Sequence, residues 1–159
     1  MPSRTIAEQM IEVADLLTDS ATRNNAARRR AISTAYYAVF HALAKLCADY
    51  ITRSASRSSP EYQRVYRALE HGPLKTVFSR VPLKDRDRLA RIGETLVILQ
   101  TERHRADYMP SMRGLFSLAK TRELVDLARE AVHEIETIEP GHEDRRTLAI
   151  CLLFKERSQ

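Results

Sequence analysis

The chain has 159 residues, 43% of them apolar and 30% charged, a balance that fits one folded globular domain and excludes a disordered chain. Four glycines are too few for the turns of a β-rich fold, no apolar run approaches the roughly 18–20 residues of a membrane span, and the opening MPSRTIAEQM lacks the apolar core of a secretory signal. An all-α, cytoplasmic protein with no membrane partner is expected, and its net charge of +5 favours anionic partners.

In chain order, Ile6, Met10, Val13 and Leu17 step by four, three and four, the stripe of a first amphipathic helix. The second helix is expected from about Asn25 to Ile51. It carries two adjacent apolar ridges, Ile32, Tyr36, Val39, Leu43, Leu46, Tyr50 and Tyr37, Phe40, Ala44, Cys47, Ile51. So wide a buried surface suits the central helix of a bundle, leaving a narrow stripe of Arg30, Thr34, His41 and Lys45. RSASRSSP then reads as a linker. Ser59 and Pro60 open a third helix that HGP should stop, with Gly72 in the left-handed cap.

A short helical piece is expected near 74–79. VPLKDRDR opens a long helix burying Leu89, Ile92, Leu96 and Leu99, and MPSMRG breaks it. The last strong helix, about 115–138, places Leu124, Ala128, Ala131, Ile135 and Ile138 on one stripe before PG ends it. TLAICLLF (147–154) is an apolar run that must be covered by the bundle or, as the slightly preferred expectation, by a partner subunit. The expected architecture is an up-and-down helical bundle of four to five principal helices over 1–140, with a C-terminal extension over 141–159.

The cations gather in three places: Arg23, Arg28, Arg29 and Arg30; Arg53, Arg57, Arg64 and Arg67; Arg80, Lys84, Arg86, Arg88 and Arg91. The segment 123–139 is acidic instead. Such clusters read either as solvated helix faces or as contacts to nucleic acid. Cys47 and Cys151 form no Cys-x-x-Cys, and Cys47 reads as a small core residue. His41, His71, His104, His133 and His142 show no ligand spacing, so no metal and no cofactor is expected.

ERHRADYMP (102–110) ends the long helix in cations. Continuing the stripe Leu89, Ile92, Leu96, Leu99 places Arg103 on the core-facing side, where a guanidinium needs an acceptor. Asp107, four residues on, is within helical reach, and Glu12 or Asp15 of the first helix are alternatives. Spacing leaves two readings open. One is a structural ion pair; the other makes Arg103 a phosphate clamp beside His104 or Tyr108 for proton transfer.

RRRAISTAYYAVFHALAKL (28–46) and RHRADY (103–108), with His71-Gly72 and Phe78 between them, resemble the two landmarks of the HEPN domains (higher eukaryotes and prokaryotes nucleotide-binding) over roughly residues 5–138. The resemblance implies a helical bundle, commonly a homodimer, in a prokaryotic toxin–antitoxin or defence type of system, often beside a nucleotidyltransferase partner. It implies an RNA- or nucleotide-associated module.

Catalytic members carry Arg, four to six residues, then His, and cut RNA without metal. The matching positions are Arg103, His104 as the polar follower, and Tyr108 where the histidine stands in the family. The motif is thus Arg-x4-Tyr, and a phenol, ordinarily titrating near about 10, is a poor base at neutral pH. The alternatives are an endoribonuclease working through Arg103 with His104 or Tyr108, or a non-catalytic protein-interaction subunit.

Arg103, Arg105, Asp107, Tyr37 and His41 are the candidate binding residues. Tyr36 and Tyr37 read otherwise as core, and His41 as part of a solvated stripe. Arg64 and His71 form a second formal match outside the usual motif location. The tyrosine that nucleotidyltransferase partners modify would fall at Pro110.

Overall fold

In the computed structural model, which describes residues 2–20, 24–53 and 55–157, every regular element is helical. Seven α-helices are present among the described residues: α1 (Ile6–Asp19), α2 (Asn25–Thr52), α3 (Pro60–Tyr66), α4 (Leu74–Phe78), α5 (Asp87–Tyr108), α6 (Leu118–Glu136) and α7 (Glu143–Leu153). A 3-10 turn, Leu83–Asp85, lies between α4 and α5. No helix is long and apolar enough to cross a membrane among these residues. The all-α bundle is therefore as expected; its long helices within 1–140 are α1, α2, α5 and α6, and α7 falls in the C-terminal extension. Arg23 lies outside the described residues.

The chain divides into two compact units, Met1–His41 with Thr95–His133, and Ala42–Glu94 with Glu134–Gln159. The first contains α1, the opening of α2, the close of α5 and most of α6. Thr5 starts α1 with a capping box: its hydroxyl accepts from the Glu8 N–H at 3.1 Å and Glu8 accepts from the Thr5 N–H at 2.8 Å. Asn24 and Ser117 begin α2 and α6 with single side-chain caps, accepting from the N–H of Ala27 and Lys120.

The buried face of α1 is Ala7, Ile11, Ala14 and Thr18, not the stripe of larger residues. Ile6 and Val13 are exposed, and Leu16 is 69% exposed. The two stripes differ by one residue and share a period, so periodicity cannot choose between them. Ala7 and Ala14 put small side chains on the inner face, beside Ile11 and Thr18. Arg129 of α6 pairs with Asp15, and Arg4 with Glu12.

The second unit contains the end of α2, α3, α4, the 3-10 turn, the start of α5, the end of α6 and α7. Ser59 caps α3 with Pro60 at its first position, as expected. That helix ends at Tyr66 rather than at HGP, and Gly72 is not in the left-handed region; among described residues only Arg53 (φ 52°) and Gly114 (φ 76°) are. VPLKDRDR forms the 3-10 turn first, and α5 begins at Asp87. Gly93 of α5 lies against Phe78 so closely that an added Cβ would sit 2.6 Å from the ring.

The apolar tail is helical. α7 packs on α4 and the 3-10 turn of its own chain, burying Leu148, Ala149 and Leu152 and leaving Ile150 and Phe154 exposed. Its first turn is tied down by Asp144, which receives hydrogen bonds from Arg86 Nη1 at 2.8 Å and from Arg88 Nε and Nη2 at 3.0 and 2.7 Å. His142 Nδ1 accepts from the Asp144 N–H at 3.0 Å, capping the helix. Cys47 and Cys151 are free thiols, and burial pushes the Cys47 thiol up to about 12.

Candidate functional site

All the residues expected at the site, Tyr37, His41, Arg103, His104, Arg105, Asp107 and Tyr108, belong to the first unit. The site is built where the opening of α2 meets the close of α5. Tyr36 is fully buried and Tyr37 half-buried, with their rings edge to face, 5.3 Å apart. Arg103 lies over both: its Cζ is 5.1 Å from the Tyr36 ring centre and 5.8 Å from that of Tyr37. The core-facing position read from the leucine stripe is thus where the side chain is, only 16% exposed.

The acceptor is Asp107, whose Oδ2 takes one hydrogen bond from Arg103 Nη1 at 3.3 Å. Glu12 and Asp15 are engaged by Arg4 and Arg129 instead. Arg103 Nε is buried with no hydrogen-bond partner. A guanidinium offers five N–H donors; this one lies on ring faces, makes a single long bond to protein, and buries its Nε–H without a partner. Burial pushes the Tyr36 hydroxyl up to about 12, against the opposing charge of Arg103, so Tyr36 stays neutral and serves as a surface for the cation rather than as an acid or base.

His41 lies one turn beyond Tyr37 on the least buried stripe of α2 and is itself partly buried, its ring edge-on to Phe40 at 6.1 Å. Desolvation lowers its imidazole below the ordinary value, which keeps it neutral at pH 7. His104 and Tyr108 form a separate pair on the exposed side of α5, their rings 4.9 Å apart and Tyr108 69% exposed. The expected constellation therefore divides into a half-buried cation on tyrosine faces and an exposed imidazole–phenol pair.

Arg105 is not idle. Its Nη1 donates to both carboxylate oxygens of Glu102, at 2.9 and 3.1 Å, and its guanidinium lies 5.9 Å from the Phe116 ring. No protein-family model, curated protein or solved structure matches this chain.

The sequence reading missed the part played by Arg29. Its guanidinium closes the C-terminus of α5, donating to the carbonyls of Ala106 at 3.2 Å, Met109 at 2.5 Å and Pro110 at 3.0 Å, beside the Phe116 ring. A cation at a helix C-terminus satisfies the last carbonyls and the helix dipole together. The spacing held a signal: Arg29 and Tyr36 are seven residues apart, hence on one face of α2. Arg28 Nε, like Arg103 Nε, is buried without a partner. Arg64 lies in the last turn of α3 and His71 beyond its end, so the second formal motif is not carried on one helix.

Proposed function

We propose that this chain is a cytoplasmic, HEPN-like module that holds RNA or a nucleotide through its phosphate, acts as a homodimer in a prokaryotic toxin–antitoxin or defence type of system, and works beside a nucleotidyltransferase partner. The observation that carries the reading is Arg103: a guanidinium oriented by two tyrosine faces and Asp107, with donors left over. Phosphate is the ligand that uses a planar fork of N–H donors best. Tyr37 borders this cation, His41 follows one turn further along α2, and Arg29 fixes the end of α5 that carries it. Tyr108 in place of the family's histidine favours binding over cleavage.

The exposed His104–Tyr108 pair supports a second reading, a metal-independent endoribonuclease that uses Arg103 for the phosphate and His104 for the proton.

One experiment separates the two. Labelled RNA is incubated with the purified protein in excess chelator, alongside Arg103→Ala and Tyr108→Phe. The binding reading expects intact RNA in every lane, affinity falling as salt rises, and a loss of roughly tenfold or more in Arg103→Ala, about 1.4 kcal/mol. Cleavage that disappears in Arg103→Ala establishes the nuclease instead. Wild-type protein that binds no RNA, or Arg103→Ala that binds as well as wild type, overturns both.

A further inference from the structure

The second unit holds a cavity of about 490 Å³ between the end of α2 and the turn into α7. Tyr50, Arg53, Arg145 and Arg146 line it, together with the carboxylates of Asp49 and Glu143. Its size lies within the range of small-ligand sites, roughly 300–1,000 Å³.

The carboxylates are already engaged. Asp49 takes Lys45 Nζ at 2.7 Å and the Tyr62 hydroxyl at 3.0 Å, and Glu143 pairs with Arg86 at 3.3 Å. Arg145 is oriented by its Nε, which donates to the Ile138 carbonyl at 2.8 Å. Arg53 and Arg146 have neither an ion pair nor a side-chain hydrogen bond among the described residues. The lining is thus left with two uncompensated guanidiniums, a third held in place, and the N-terminal end of α7, whose dipole also favours an anion.

The geometry assigns to this cavity a small phosphate monoester, its dianionic phosphate on Arg53 and Arg146. A phosphate monoester is close to a dianion at neutral pH, which matches two uncompensated cations, and Tyr50 supplies a wall for an organic substituent. The site uses none of the residues around Arg103, so either assignment can fail alone.

Arg53 also makes the test clean. It ends α2 with φ 52°, the left-handed region that a glycine adopts without steric cost. Arg53→Gly therefore removes the guanidinium while keeping the fold, with an unchanged or higher melting temperature.

The experiment is calorimetric titration of the full chain, in low-salt buffer, with inorganic phosphate, adenosine monophosphate and adenosine. Measured in the Arg103→Ala variant, which takes the first unit's cation out of the readout, both phosphates should bind at one site and adenosine should not. Arg53→Gly and Arg146→Ala, each added to that variant, should weaken binding roughly tenfold. The assignment is overturned by any of three results: no phosphate binding up to about 10 mM, adenosine binding as tightly as its monophosphate, or affinities that Arg53→Gly and Arg146→Ala do not alter.

Discussion

Asp144 in the second unit and Arg103 in the first are both charged side chains taken largely out of water, and they are treated in opposite ways. Asp144 receives three hydrogen bonds from two guanidiniums at 2.7–3.0 Å, which engages both of its carboxylate oxygens. Arg103 has one bond at 3.3 Å, two aromatic faces and a buried Nε with no partner. A saturated buried ion is a structural tie, because nothing further can bind it. An undersatisfied one tolerates its place only at a free-energy cost, and a ligand that completes its hydrogen bonds removes that cost. The contrast separates an anchor from a candidate contact point without appeal to sequence alone.

The largest expected effect comes from breaking the anchor. Asp144→Asn leaves Arg88 without a counter-charge and Arg86 with Glu143 alone, and loosens the first turn of α7. The expected loss is about 2–3 kcal/mol, below the full cost of a buried pair because both guanidiniums are nearly one-third exposed. For a chain of this length that is about 5–10 °C in melting temperature. The pH dependence has a definite sign. Burial alone would raise the Asp144 carboxyl, but the hydrogen bonds from Arg88 and Arg86 outweigh it and hold the group below the ordinary carboxylate range. Its stabilisation is thus complete above the unfolded value, near about pH 4, and disappears as pH falls through the folded value; Asp144→Asn should remove that branch of an acid unfolding curve.

A smaller effect is expected at Arg29. Arg29→Ala uncovers three carbonyls at the end of α5, which should cost about 1–2 kcal/mol and speed hydrogen exchange in the last turn before Pro110. Because that turn carries Asp107, RNA affinity should weaken too, although Arg29 makes no contact in the site itself.

The smallest effect sharpens the comparison most. Arg103→Leu replaces an undersatisfied cation by an apolar side chain over two rings, and should change unfolding free energy by less than about 1 kcal/mol. A loss as large as that of Asp144→Asn in denaturant titration would make Arg103 an anchor of the same kind and remove the basis for treating it differently.

Much of the fold is written in local pattern. The leucine stripe of α5 placed Arg103 correctly on the inner side, and Ser59-Pro60 placed the start of α3. What local pattern could not supply was choice between equivalents. In α1, two stripes one residue apart have the same period, and neighbouring helices select the one with alanines. Gly72 carried the composition of a helix stop, yet α3 ends at Tyr66, with Arg67 as its cap in the right-handed region.

The site was legible to the same degree. Arg103 and Asp107 are four apart in sequence and meet in space, whereas the partners of Asp144 are 56 and 58 residues away and no local spacing announces them. Arg86 and Arg88, part of a cluster that reads as either a solvated helix face or a nucleic-acid contact, are occupied by that distant carboxylate.

The contact between Gly93 and Phe78 ties two positions fifteen residues apart into one inherited unit. A Cβ at 93 would lie 2.6 Å from the ring, so alanine, ordinarily the better helix former, is excluded there while phenylalanine remains at 78. Once a smaller residue stands at 78, however, the exclusion lifts. The two positions are therefore coupled: Gly93→Ala alone should destabilise the chain, and Phe78→Ala should remove that extra cost in the double variant.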